Sequence, residues 1–408
     1  MCWELYCLEH DILPSGFKSN PEPSSSDTCD AIYSRTSSGS YIPRAIFVDL
    51  EPTVLDEMRV GVYRDLYNRD NMISGKEDAG SNFARGYYSV GNEISGPCMG
   101  RLRIVAETCD SLQGFLFFHS FGGGTGSGLT SNLMAKMKNE YSKATRVSFI
   151  LFPSPTASSV VVEPYNAVLA SHATMDTAGC CFAMDNEALY SICESKLSVA
   201  KPNFTNINRV IAQAVAGVTG SLRFQGESVV NLEDLQTNLI PFERLHFPAI
   251  AYAPLVTPQT ADKEIYTADQ LVNSCLQPES SLVKCNLRQG RCMASCLLFR
   301  GGVAPAEANA AVTKLKSSGL INLVGVNAQP PSAIPGGDMA ACPASLAFMS
   351  NSSALVPLWS RINTKFDLMY SKRAYVHHYV GEGMEEGEFQ EARDDIATLE
   401  KDYETATK

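Results

Sequence analysis

Apolar positions along the chain fall into two rhythms. GFLFFHS carries an unbroken run from Phe115 to Phe118, and VSFILFP a second from Val147 to Phe152. Short continuous runs of this kind, bounded by turn residues, predict strands buried on both faces. Between them, LTSNLMAKMKNEY spaces Leu129, Leu133, Met134 and Met137 along one side of a helix. The order is strand, loop, helix, strand, the building unit of an α/β sheet. Near the C-terminus, FQEARDDIATLEKDY sets Phe389, Ala392, Ile396, Leu399 and Tyr403 at helical spacing, with Glu388, Glu391, Asp394, Asp395 and Asp402 on the other side. That pattern predicts a helix with one buried face and one acidic, solvated face. One stretch breaks the rhythm. GNEISGPCMGRLRIV places Pro97 between Gly96 and Cys98, and a proline inside a helix costs about 3 kcal/mol, so a disturbed helix is expected there.

The loop joining the first strand to the helix reads FGGGTGSGLT, with glycine at 122, 123, 124, 126 and 128. Glycine lets the backbone approach a ligand closely and adopt positive φ. A helix N-terminus directs unpaired N–H groups and positive dipole at one point, which favours phosphate. The loop has no lysine. It lacks the GK[ST] ending of a Walker A loop and the spacing of a GxGxxG fingerprint. Charge compensation for a phosphate must then come from backbone dipoles or from Mg²⁺ held by a carboxylate. Ser120 and Thr125 are candidate caps for the helix.

Composition narrows the partners. The 408 residues are 45% hydrophobic and 19% charged, with net charge −11, ordinary for a globular protein of more than one domain. An acidic chain argues against free nucleic acid as the main partner and suits basic proteins. No apolar run approaches the roughly 18 residues of a membrane span. The acidic residues Glu4 and Glu9 fall where a signal peptide would be basic and then apolar. The thirteen cysteines are scattered without a CxxC pair, which predicts reduced, mostly buried thiols in the cytosol.

GGGTGSG after an apolar strand resembles the signature of the tubulins and the related bacterial division GTPases. The resemblance spans nearly the whole chain: CWELYCLEH from Cys2, PRAIFVDLEPTVLDE from Pro43, SGKEDAGSNFARG from Ser74, VVVEPYNAVL from Val160, MDNEALYSIC from Met184, QTNLIPFERLHFP from Gln236 and KFDLMYSKRAYVHHYVGEGMEEGEFQEARDD from Lys365. IPGGDM, Ile334 to Met339, resembles the alpha-type loop that fills a pocket left open in beta-tubulin. The resemblance implies an α/β tubulin fold: a Rossmann-like GTPase domain over 1–186, a core helix and second α/β domain over 187–360, and C-terminal helices over 361–408.

It also implies GTP and Mg²⁺ as cofactors and the residues that hold them. Ser120, Gly122, Gly123, Gly124, Thr125 and Gly126 cradle phosphates, and Glu51 approaches them and the Mg²⁺. Asp78, Ala79 and Asn82 form a second phosphate loop. Ser159 and Glu163 match the ribose region, and Asn186 and Asn208 the asparagines that read guanine. Phe204 stands where alpha-tubulin has the tyrosine that stacks on the base. Asp234, in NLEDLQTNL, replaces the glutamate that acts on the GTP of the next beta subunit in the filament. Aspartate is one methylene shorter, and a misplacement of ~1 Å can cost ~100-fold in rate. The implied partners are beta-tubulin, in the heterodimer and along the filament, and motors and associated proteins on the acidic outer face.

Departures from the family pattern set further expectations. The family's opening strand and first nucleotide loop have no counterpart ahead of MCWELYCLEH, about nine residues are wanting between Gly319 and Leu320, and the glutamate-rich tail is absent after DYETATK. The first of these predicts unpaired backbone in the sheet interior. Beside the reading as a GTP-binding microtubule subunit stand two others: a non-polymerising interaction protein that has lost nucleotide binding, and a natural chain that begins upstream of Met1.

Overall fold

The computed structural model describes residues 1–19, 29–154, 160–226, 230–261, 266–316 and 321–406. In chain order the strands are β1 (Tyr33–Arg35), β2 (Tyr41–Pro43), β3 (Phe47–Asp49), β4 (Met72–Ser74), β5 (Gly114–Ser120), β6 (Thr145–Phe152), β7 (Cys180–Asp185), β8 (Ala249–Ala253), β9 (Cys292–Gly301), β10 (Ile321–Asn327) and β11 (Ala344–Ser352). The helices of the first half are α1 (Cys2–Glu9), α2 (Pro52–Val60), α3 (Phe83–Tyr87), α4 (Val90–Glu107), α5 (Thr130–Glu140), α6 (Glu163–Met175), α7 (Asn186–Ser195) and α8 (Phe204–Val218). They are followed by α9 (Gly220–Arg223), α10 (Leu232–Leu239), α11 (Ala268–Cys275), α12 (Pro305–Lys316), α13 (Val356–Tyr370), α14 (Val376–Val380) and α15 (Gly387–Thr405).

Seven strands form one sheet in the order β10-β9-β11-β8-β7-β6-β5. β5, β6, β7 and β8 are parallel, while β11 runs antiparallel to both β8 and β9. The sheet is narrowest in the middle, where β7 and β8 share the single register pair Ala183–Ala249. Period-2 alternation divides two cores. Along β8, Ala249, Ala251 and Ala253 face the core built with α6, α11, α13 and α15, while Ile250 and Tyr252 face the core built with α1, α7, α8 and α10. Helices on both faces explain why the β6 run is apolar throughout rather than alternating.

β3 and β4 form a separate parallel pair, and among the described residues β5 pairs only with β6. β5 therefore presents an outer edge, with Phe118 51% exposed. The small antiparallel pair β1–β2, between Cys29 and Arg44, carries no apolar rhythm long enough to announce it.

The C-terminal stripe behaves as its spacing predicts: Phe389, Ala392, Ile396, Leu399 and Tyr403 are all fully buried. Its acidic side is less free than expected. Asp395 takes His172 Nδ1 at 2.8 Å and Arg244 Nη2 at 3.3 Å, and Glu388 accepts the Tyr88 hydroxyl at 2.6 Å. None of the thirteen cysteines forms a disulfide among the described residues.

The expectation of a disturbed helix at Pro97 is corrected. α4 runs unbroken through it from Val90 to Glu107. Gly96 ahead of the proline has no Cβ to meet the ring, which removes one of the two clashes that normally exclude proline.

Candidate functional site

The C-terminal ends of the parallel strands lie level. Ser120 ending β5 pairs with Leu151, and Phe152 ending β6 pairs with Asp185 ending β7. The loops leaving these ends share one edge of the sheet, the place where open α/β sheets bind ligands. The glycine loop leaves β5, Pro153 and Ser154 leave β6, and Asn186 starts α7 directly after β7.

The glycine loop enters its helix through a wide π-type turn, Thr125–Leu129, with Gly124 at the N-cap and no side-chain cap. Neither expected cap operates there; Ser120 Oγ instead accepts the Gly122 N–H at 3.1 Å within the loop. The glycines differ in purpose. A Cβ on Gly128 would lie 2.2 Å from Phe83 O, on Gly126 2.4 Å from Ser120 O, and on Gly124 2.7 Å from the Asn82 backbone. Gly124 and Gly128 let the loop touch α3 and its N-cap backbone to backbone, and Gly126 lets the loop fold back on the end of β5. Gly123 is different, since a Cβ there meets nothing within 4 Å. Gly122 lies against Glu163, whose side chain would stand 3.4 Å from its Cβ. The loop thus packs through some glycines and opens to solvent at Gly123.

His119, the only titratable side chain on β5, brings no cation. Burial pushes its imidazole down to about 4. Its Nδ1–H donates to Gly126 O at 2.7 Å, and it is neutral at pH 7.

The second loop, 78–82, adjoins the first. Ala79 is buried in a small cluster with Leu50 and Leu129. Gly80 and Ser81 both take positive φ, 57° and 54°, the backbone geometry that turns N–H groups toward one concavity. Asn82 caps α3 through Oδ1 to Ala84 N at 2.8 Å and donates from Nδ2 to His378 O at 3.1 Å. Asp78 is exposed at the loop's tip.

Two residues that sequence reasoning missed hold this arrangement. Fully buried Asn166 donates from Nδ2 to Gly122 O (2.8 Å) and Ser81 O (2.6 Å), and its Oδ1 accepts from Phe83 N (3.0 Å) and the Tyr379 hydroxyl (2.7 Å). One amide ties both loops to α3 and α14. Asp49, at the end of β3, lies in hydrogen-bonding reach of Thr125, and burial raises its carboxyl against the N–H groups of Glu51 and Leu50 that hold it charged. Glu51 follows at the N-cap of α2, held by the Thr53 hydroxyl. Asp49 therefore borders the glycine loop with Glu51 two residues further on, and carboxylates are ligands that Mg²⁺ uses when phosphate oxygens complete its shell.

At the β7 end, Asp185 rather than Asn186 caps α7, through Oδ1 to Glu187 N at 2.9 Å. Among the described residues, the buried Asn186 Oδ1 has no hydrogen-bond partner. Phe204 and Asn208 lie one turn apart at the start of α8, and Phe204 is 70% exposed although a capping box of Asn203 and Asn206 orders the turn beneath it. An exposed aromatic at the start of α8 and an amide at the start of α7 are side chains of the kind that stack on and read a planar base. Ser159 lies outside the described residues. Asp234 does not join this group. It is the N3 residue of α10, its Oδ2 accepting Asn231 N at 2.9 Å, and it influences Cys296 on β9 at the other side of the sheet.

The chain matches the GTPase domain of the tubulin and FtsZ family over residues 1–194 and the tubulin C-terminal domain over residues 243–364. It is 49% identical to the tubulin alpha-2 chain of Caenorhabditis elegans over 99% of this chain and 92% of that one. The chain is an alpha-type member of the tubulin family. It is accordingly a GTP-binding structural subunit of cytoplasmic microtubules, pairing with beta-tubulin. In the segment Ile334–Met339, Ile334 and Met339 pack on the α8 core, and Asp338 takes Asn206 Nδ2 at 2.5 Å and Arg209 Nη1 at 3.5 Å. Among the described residues, no helix is long and apolar enough to cross a membrane.

Proposed function

We propose that the guanine nucleotide of this alpha-tubulin lies along the sheet edge between Gly123 and Phe204. Phosphates are received by the loop residues Gly122, Gly123, Gly124, Thr125 and Gly126, around the open space at Gly123, and by the 78–82 turn. Ribose lies by Glu163 and Ser159, and the base stacks on Phe204 with Asn186 and Asn208 reading its edge. Mg²⁺, held by Glu51 and Asp49, would neutralise phosphate charge where the loop has no lysine. The observation that carries this reading is that the open Gly123 and an Asn186 Oδ1 without a hydrogen-bond partner among the described residues both follow the C-terminal ends of parallel strands of one sheet. The loop glycines test it. Gly123→Ala is expected to give a folded heterodimer that holds nucleotide at least tenfold more weakly, because the added methyl enters only ligand space. Gly128→Ala is expected to give no soluble heterodimer, because its methyl meets the Phe83 carbonyl. Nucleotide released on denaturation and heterodimer yield read the two effects; unchanged nucleotide in Gly123→Ala would move the phosphates elsewhere.

Asp234 acts on a different nucleotide. Its place on α10, apart from the chain's own glycine loop, supports a role in trans, orienting water at the site of the next beta subunit in a filament. The carboxylate is engaged with the Asn231 backbone and is one methylene short of glutamate. Asp234→Glu is therefore expected to speed GTP hydrolysis in co-polymers roughly 10- to 100-fold. Asp234→Asn should slow hydrolysis while leaving assembly intact. Phosphate release per polymerised dimer checks both, and equal rates in the three proteins would remove Asp234 from the chemistry. The outward acidic residues Glu391, Asp394 and Asp402 suit basic surfaces on motors and associated proteins.

A further inference from the structure

The stretch that breaks the helical rhythm, around Pro97, has a consequence in space. α4 and α5 run side by side in the same direction and are tied at two levels. Lys136 Nζ donates to Asn92 Oδ1 at 2.8 Å and to Ser95 Oγ, and one helical turn later Arg103 pairs with Glu140, Nη2 to Oε2 at 2.7 Å. Around these ties lies an open cleft of about 510 Å³. Its volume falls within the range of small-molecule sites, roughly 300–1,000 Å³.

The cleft exists because small residues stand where a packed helix pair would place large ones. Ser95 and Gly96 line it, and a Cβ on Gly96 would meet nothing within 4 Å. Its floor is the thioether of buried Met99. Its polar groups are those of Lys136, Asn139 and the Arg103–Glu140 pair. Glu140 answers the charge of Arg103, whereas both hydrogen bonds of Lys136 go to neutral oxygens. The lining therefore carries two positive charges against one negative, beside an apolar floor. That chemistry suits a monoanion with a short apolar body. The cleft is also remote from the nucleotide groove: Lys136 is thirteen residues beyond Gly123, roughly 20 Å along a helix.

We propose that the α4–α5 cleft is a second ligand site of this chain, separate from the nucleotide site, that binds a small organic carboxylate, with its anion at Lys136 and its apolar body over Met99 and Gly96. The test uses the heterodimer with beta-tubulin and saturation-transfer NMR, with 4-phenylbutyrate as probe and 4-phenylbutanamide as its uncharged counterpart. Transfer to the carboxylate is expected to saturate, with the amide at least tenfold weaker. Lys136→Met should weaken the carboxylate at least tenfold, and Gly96→Phe, which fills the cleft, should abolish its saturable binding while guanine nucleotide content stays unchanged. If Gly96→Phe gives no heterodimer, Lys136→Met, a change on a partly exposed side chain, decides the matter alone. Equal binding by wild type and Lys136→Met, or no saturable binding by wild type, overturns the proposal.

Discussion

Asn166→Leu is expected to yield a chain that retains no guanine nucleotide and melts far below wild type. Leucine keeps the branched skeleton but carries no polar atom, so the change removes every hydrogen bond of the amide, and its bulkier methyls add overpacking. The change orphans Gly122 O, Ser81 O, Phe83 N and the Tyr379 hydroxyl together. An unsatisfied buried polar group costs ~1–3 kcal/mol, and four of them put the loss at about 4 kcal/mol or more. The lost bonds also fix the two loops that border the nucleotide groove, so nucleotide retention should fail before the sheet does. Nucleotide release on gentle warming, followed beside loss of helical circular dichroism, separates the two events. Coincident transitions at the wild-type temperature would mean that the amide is dispensable.

Glu9→Gln is expected to destabilise the protein by ~3–5 kcal/mol. Glu9 is buried between two equally buried arginines, Oε2 at 2.6 Å from Arg223 Nη1 and Oε1 at 2.7 Å from Arg300 Nη1. The triad joins α1, α9 and β9 and carries one excess positive charge. That charge is spread over the Ala216 carbonyl, which both arginines share, and over the Tyr6 ring 4.3 Å below Arg223. Removing the carboxylate leaves two facing cations in a dry interior. Burial opposes ionisation of Glu9, but the two arginines outweigh it and hold its pKa below the usual carboxylate value. A depressed native pKa means the stabilisation is complete above the unfolded value, about 4.3, and fades as pH falls through the native one. The gap between wild type and Glu9→Gln should accordingly be full at neutral pH and narrow only in acid. Replacing both arginines by methionine in the Glu9→Gln background should recover much of the loss. Thermal midpoints across pH measure this, and a gap that widens in acid would contradict the assignment.

The C-terminal helix and the β5–loop–α5–β6 unit were legible because each residue's surroundings repeat with the period of its own element. The glycine loop was legible as an anion site for a similar reason: its composition has few uses. What the loop's glycines do individually was not legible. Gly124 and Gly128 serve close packing on the start of α3, some forty residues earlier in the chain, Gly126 packs on the end of β5, and Gly123 faces open space, a distinction set by the fold around the loop. Asn166 lies mid-helix in VVVEPYNAVL and looks like any polar residue there, because its four partners come from three distant segments. Asp49 stood unnoticed two residues from Glu51, in a strand only three residues long. Pro97 misled because propensity is a local quantity. The helix around it is held by the packing of its buried face, including Cys98 and Met99, and the glycines that accommodate the proline also leave the cleft beside α5.

The most direct test of the account is the guanine nucleotide content of the purified heterodimer with beta-tubulin, quantified after denaturation against beta-tubulin alone. Two nucleotides per heterodimer are predicted, one held at Gly123 and Phe204 of this chain and one by its partner. A single nucleotide per heterodimer would contradict the account, because the groove described above would then be empty in the assembled protein.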